Sequence, residues 1–198
     1  CDDCEQLFNK NGEKVIAESC FRGNEFTILD QLNQLEPFYS KQDIHIFNCE
    51  YIKNWQKYLY FAVSIIWRAS EGKWSDKRIK TENSLDKKTE EAFRDFLLQK
   101  ASILKNVLLF IYIDSDPKSK NIFLAFPKID NKVKEILKYH FTIPGIMFEL
   151  HIKVVNENAK VLFCKSPFET SSTYKNMAQK IAKLELKGKK IKELKRKS

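Results

Sequence analysis

The sequence predicts an α+β protein, and three observations carry that prediction. Its first half holds apolar residues at helical spacing, most strongly from Tyr51 to Ala69. Its second half switches to short runs rich in β-branched and aromatic residues, bounded by turn signals. From Ser172 the pattern turns helical again and becomes lysine-rich. Helices first and strands after, without regular alternation, favours segregated layers over a doubly wound α/β sheet. The expected architecture is a zinc-knuckle-like N-terminus, a buried central helix, a small antiparallel sheet and a basic C-terminal helix. The expected divisions are a knuckle region over 1–25, an α+β body over 26–171 and the terminal helix over 172–198.

Within the knuckle region, Leu7, Phe8, Val15 and Ile16 give one helical turn, a break at Gly12 and a second turn ending near Cys20. Phe21-Arg-Gly-Asn24 is a turn. Phe26 to Leu35 is a short amphipathic helix stopped by Pro37. Ile44-His45-Ile46-Phe47 is extended. Tyr51 to Ala69 places Ile52, Trp55, Leu59, Ala62 and Ile66 on one stripe, widened by Tyr58, Phe61 and Ile65, so this helix should be central and buried. Glu71 to Leu85 reads as a polar loop. Thr89 is placed to cap a helix over Glu90 to Leu104, whose first turn carries Glu90 and Glu91 where the dipole favours anions.

Val107 to Ile113 and Ile122 to Phe126 read as a hairpin around Asp114-Ser-Asp-Pro117. A short helix is expected near Asn131–Tyr139. Ile146 to Ile152 and Val161 to Cys164 then read as a second antiparallel pair. In the terminal helix Tyr174, Met177, Ile181, Leu184, Ile191 and Leu194 form the apolar stripe, with Gly188 as a weak point.

The 198 residues, 43% hydrophobic and 13% aromatic with five Gly and five Pro, suit one sizeable core and exclude a disordered chain. No apolar run approaches the roughly 20 residues a bilayer span needs, so no membrane partner is expected. The five cysteines are Cys1, Cys4, Cys20, Cys49 and Cys164. An odd, scattered count argues against a disulfide framework and for a reducing compartment, the cytoplasm. Net charge is +9, and its distribution is lopsided. The 24 residues from Lys175 carry nine Lys and one Arg against two Glu, a net +8, which leaves +1 for the other 174. Such a segment suits phosphate contacts through Lys187, Lys189, Lys190, Lys192, Lys195, Arg196 and Lys197, or an ordinary solvated helix face.

Cys1-x-x-Cys4 at the head of a helix has the spacing of one zinc knuckle: two thiolates in a tight turn facing a tetrahedral metal. It supplies half the ligands. Cys20 is a candidate third ligand, and the remainder is expected upstream, which makes the chain read as the C-terminal part of something longer. A redox Cys-x-x-Cys calls for a βαβ setting that these residues do not provide. Cys49 and Cys164 adjoin apolar segments and read as buried thiols. His45, His140 and His151 each stand alone and read as structural. Asp114 and Asp116 fit a cation site or a tight turn. No His-Glu-x-x-His, Ser-His-Asp or glycine-rich phosphate loop occurs.

The stretch Cys1-Asp-Asp-Cys4-Glu5-Gln6, with Phe8-Asn9-Lys10-Asn11-Gly12-Glu13-Lys14 and Cys20, resembles a family of bacterial HNH-endonuclease-like proteins. In that family a Cys-x-x-Cys and a Ser-His-x-x-Pro type segment precede a second Cys-x-x-Cys-Glu. Tyr60-Phe61-Ala-Val-Ser64-Ile-Ile-Trp67-Arg68 is similar to the buried helix that follows there. The resemblance covers about the first seventy residues. It implies a ββα-metal type nuclease, with a histidine activating water, a divalent ion such as Mg²⁺ on the leaving oxygen and a separate structural zinc. By that likeness Cys1 and Cys4 form half of the zinc site, and the catalytic histidine lies upstream of Cys1. The expected function is therefore a nucleic-acid-binding C-terminal part, DNA ahead of RNA, catalytically silent alone. The competing expectation is a non-enzymatic protein-interaction module with a structural zinc knuckle.

Overall fold

The computed structural model describes residues 2–72, 81–116, 124–130, 136–154 and 158–167. The lysine-rich segment and Cys1 lie outside these residues. The chain opens with one continuous helical stretch: α1 (Asp2–Phe8), a π-helical turn (Asn9–Glu13) and α2 (Lys14–Ser19). The flanking Phe8 and Lys14 keep helical dihedrals, so Gly12 widens the helix without breaking it. α3 is Thr27–Asn33. A hairpin of β1 (Tyr39–Lys41) and β2 (Ile44–Asn48) precedes α4 (Trp55–Glu71) and α5 (Lys87–Leu97). The remaining strands are β3 (Val107–Asp114), β4 (Leu124–Asp130), β5 (Leu137–Ile143), β6 (Ile146–Ile152) and β7 (Lys160–Ser166).

The class is α+β, as the sequence indicates, but the sheet is neither small nor wholly antiparallel. Seven strands run in the order β1-β2-β7-β3-β6-β5-β4, and the central pair β3–β7 is parallel. Residues on either side of the β6–β7 connection are tied to the segment before β3. Val154 N–H bonds Asn106 C=O at 3.2 Å and Ala159 N–H bonds Leu104 C=O at 2.6 Å. Three local expectations are corrected. β4 pairs with β5 instead of β3, and β3 lies between β6 and β7. The stretch expected to be helical up to Tyr139 is already strand from Leu137, because Tyr139, Phe141 and Ile143 alternate with Lys138, His140 and Thr142 at period two. The helix expected over Glu90 to Leu104 behind a Thr89 cap spans Lys87–Leu97 instead, capped by Asp86, whose carboxylate accepts the Thr89 N–H at 2.9 Å. That bond, first among several, holds the Asp86 carboxyl below the usual range.

α4 is the buried helix the apolar stripe predicts. It lies on one face of the sheet, where Phe61 meets Phe141 and Phe148 at 5.9 and 5.5 Å and Tyr58 meets Phe163 at 5.1 Å. α3 approaches the same face, its Asn33 accepting from Lys165 Nζ at 3.0 Å. Phe8 and Ile16 share this core with Phe61 and Phe163, so the first 25 residues build on the body's core instead of packing apart from it. The loop after α4 is anchored at its far end. Thr81 and Leu85 are buried, and Leu85 N–H and Asn83 N–H reach Ser70.

A Cβ on Gly12 would stand 3.1 Å from Phe61 Cα and Cβ, so this glycine sets how closely the N-terminal helix approaches α4. Ala at this position gains about 1 kcal/mol of helix propensity. It also presses on a backbone that cannot swing aside, at about 1–3 kcal/mol. Gly12→Ala is therefore expected to lower stability by about 1 kcal/mol, read as a lower urea midpoint at unchanged slope; a raised midpoint would show that α4 yields.

Candidate functional site

Strand alternation sorts the sheet's side chains into two sets. Val107, Leu109, Ile111 and Ile113 of β3 align with Ile152, Leu150, Phe148 and Ile146 of β6 on the helix-covered face. The opposite face carries Lys138, His140 and Thr142 from β5, Met147, Glu149 and His151 from β6, Phe110 and Tyr112 from β3, and Cys164 from β7. Lys138, Glu149, His151, Tyr112 and Cys164 therefore share the face away from α4.

At its centre sits Glu149, 4% exposed. One carboxylate oxygen takes Lys138 Nζ and the other faces His151 Nε2, each at 2.8 Å. The His151 ring meets the edge of Phe110 at 5.3 Å, and Phe110 stacks beside Tyr112 at 6.1 Å. Burial alone pushes the Glu149 carboxyl upward, but the His151 and Lys138 hydrogen bonds outweigh it and hold the group below its usual value. The anion then acts on its neighbours. The Cys164 thiol is pushed up to about 12, by burial first and the Glu149 charge second, and the Tyr112 hydroxyl moves upward for the same two reasons. The arrangement is a buried carboxylate held between a lysine and a histidine, which keeps the carboxylate charged and its neighbouring thiol protonated. Sequence reading treated His151 as solitary; its period-two spacing from Glu149 on an apolar strand was the available signal.

The two stretches that carry the family resemblance meet in space. Gly12 packs on Phe61, Phe8 lies 6.4 and 6.5 Å from the Tyr60 and Trp67 rings, and Arg68 Nη2 donates to Glu13 Oε1 at 2.7 Å while its guanidinium sits 4.9 Å over Phe8. Asp2, Glu5, Gln6, Asn9, Glu13 and Arg68 line an open polar hollow of about 390 Å³ here. Cys4 lies in the first turn of α1.

Cys20 does not join it. It caps the far end of α2, sixteen residues on; at 1.5 Å per residue that is about 20 Å or more away, too far to share one metal with Cys4. The Cys20 sulfur donates to Ala17 C=O at 3.5 Å, and burial pushes its thiol upward. Burial, then the Glu50 charge, raises Cys49 likewise. Among the described residues no group of three or more His, Cys, Asp or Glu is placed to hold a metal. Asp114 Oδ1 accepts the Asp116 N–H at 3.0 Å, the hydrogen bond of an Asx turn. His45 Nδ1 pairs with Ser40 Oγ at 3.0 Å across the β1–β2 hairpin. Lys187, Lys189, Lys190, Lys192, Lys195, Arg196 and Lys197 lie outside the described residues. No described helix is long and apolar enough to cross a membrane. Compared with known proteins, the chain matches no family model, no curated protein and no solved structure.

Proposed function

We propose that this chain is the nucleic-acid-binding part of an HNH-like, zinc-stapled protein. The observation that carries the proposal is charge segregation: a net +8 in the last 24 residues against +1 in the other 174. A cationic segment on a nearly neutral body is suited to phosphate backbones, with counterion release supplying the affinity. The position of Cys4 supports the zinc half of the reading. Cys1-x-x-Cys4 has the spacing of one zinc knuckle, and Cys4 lies in the first turn of α1. Zinc then takes its two further ligands from outside these 198 residues. The histidine that activates water, and any Mg²⁺ it works with, belong to that outside part as well, so His45, His140 and His151 are not its catalysts.

Binding of a 20-bp duplex and of a single-stranded RNA by the full chain, measured between 50 and 300 mM salt, tests the reading. The expected duplex affinity falls steeply with salt, by about 0.9 log units per decade for each phosphate neutralised. Changing Lys187, Lys189, Lys190 and Lys192 to Gln together should flatten that slope by about 3–4. Binding that is absent or insensitive to salt sinks the proposal. The interaction-module alternative has one observation in its favour: Phe38, Tyr39, Ile44 and Tyr51 are exposed on the edge hairpin and the turn after it. On that reading duplex binding is absent, and Tyr39→Ser with Tyr51→Ser abolishes capture of a protein partner.

A further inference from the structure

The N-terminal helical stretch, α4 and the end of α5 meet around a hollow of about 320 Å³. Asn11 lines it from the π-turn, Gln56, Lys57 and Tyr60 from α4, Phe96 from α5 and Gln99 from just beyond. Two of these residues cost the fold stability. The Asn11 side-chain nitrogen is buried without a hydrogen-bond partner. It lies near the Tyr60 hydroxyl without completing a bond to it, and that hydroxyl gives its own proton to Leu97 C=O at 2.9 Å. A buried donor left unpaired is destabilising. Gln99 holds φ +58 just past the C-cap of α5, the position where glycine is favoured. Local costs that converge on one hollow are characteristic of a ligand site.

We propose that this hollow binds a nucleobase, with the adenine of a nucleotide its best match. Its wall is aromatic: Phe96 is half-buried, and the Tyr60 ring tilts beside it at 6.0 Å. A base stacks on such a ring. Around the wall stand three side-chain amides, Asn11, Gln56 and Gln99, and an amide presents the paired donor and acceptor that match an adenine edge. A half-turn of the Asn11 amide, whose last torsion is broad, brings its unpaired donor to the base. Lys57 stands in the first turn of α4, where the helix dipole also favours an anion. Its ammonium uses one of three N–H groups on Lys10 C=O at 3.2 Å, and the other two suit a phosphate. No carboxylate is among the residues lining the hollow, so a nucleotide meets no repulsion there. The volume falls at the small end of ligand clefts, as a single nucleotide requires.

Isothermal titration calorimetry of the full chain with AMP, ribose 5-phosphate and single-stranded oligo-dA supplies the test. AMP should bind, and ribose 5-phosphate, which lacks the base, should bind at least tenfold more weakly. Asn11→Leu removes the unpaired donor and Gln99→Gly relieves the left-handed residue, so both variants should keep or raise the urea midpoint. Both should nonetheless weaken base binding at least tenfold. A packing defect would not set binding against stability in this way. Weakened oligo-dA binding in the variants assigns the base to a strand; weakened AMP binding alone assigns it to a free nucleotide. The proposal is overturned if neither AMP nor oligo-dA binds, if ribose 5-phosphate binds as well as AMP, or if both variants keep the wild-type affinities. Base binding here needs none of the lysines changed in the duplex experiment, so the two readings fail separately.

Discussion

Replacing Gly145 by Ala is expected to lower stability by about 3 kcal/mol, a loss built from two separable parts. Gly145 sits at φ +79 in the two-residue Pro144–Gly145 connection between β5 and β6. Pro followed by a residue at positive φ is the signature of a type II turn, and a Cβ there costs about 1–2 kcal/mol. The second part is steric. A Cβ would stand 2.6 Å from Phe26 Cζ and 2.8 Å from Phe21 Cδ2, two rings that stack at 4.2 Å over the turn. Phe21 N–H also bonds Pro144 C=O at 3.3 Å, and Asp114 N–H bonds Gly145 C=O at 2.9 Å. Moving the turn to admit a methyl group therefore disturbs the N-terminal segment and the end of β3 together, at about 1–3 kcal/mol. Gly23→Ala supplies the control, because Gly23 has φ +60 with nothing within 4 Å of a Cβ. It should lose the conformational share alone, about 1 kcal/mol. Urea midpoints for the two variants decide the matter: equal losses would show that the Phe21–Phe26 clamp yields without cost.

Glu149→Gln is expected to cost about 3 kcal/mol at pH 7. The substitution keeps the shape but leaves Lys138 and His151 facing a neutral amide in a dry site, and removing one partner of a buried ion pair is expensive. Its pH dependence identifies the cause. The folded-state pKa of Glu149 lies below the ordinary carboxylate value of 4.5. The ionised carboxylate therefore contributes its full stability above the ordinary value, and that contribution disappears as pH falls through the lowered folded value. The wild type and Glu149→Gln should differ most at neutral pH and converge in acid. A difference that stays constant from pH 7 to pH 3 would place the loss in packing and remove the charge argument. The same variant takes away the anion beside Cys164, so its thiol pKa should fall from about 12.

Much of the helical half was legible because its period is local. The stripe through Leu59, Ala62 and Ile66 named α4 as the central helix, although it begins at Trp55 instead of Tyr51, with Ile52 as the extended residue that follows a 3-10 turn. Thr27–Asn33 and the helical halves on either side of Gly12 were also readable, although the sequence reading took Gly12 as a break. The π-turn that keeps the helix continuous there depends on Phe61, a contact 49 residues away. The strands were legible as strands and mostly not as partners. Val107 to Ile113, Ile146 to Ile152 and Val161 to Cys164 announce themselves by composition. Their pairing does not follow from adjacency, because the two-residue Pro144–Gly145 turn fixes β5 beside β6 and gives β3 the other edge of β6.

The candidate site divides in the same way. Cys1-x-x-Cys4 is a spacing, and spacing is readable; that Cys20 lies a whole helix away from Cys4 is a distance, visible only once the turns between them proved continuous. Lys138, Glu149 and His151 are ordinary residues in three separate places of an alternating pattern. Register puts Lys138 opposite His151 with Glu149 next along the same face, so both reach the buried carboxylate. The sequence by itself determined the class, the central helix, the Cys1-x-x-Cys4 spacing and the +8 segment, since each depends on residues within a few turns of one another. Only the tertiary structure decided the seven-strand order, the face on which Glu149 lies and its charged state. Those depend on pairings across tens of residues and on the exclusion of water, which no local pattern encodes.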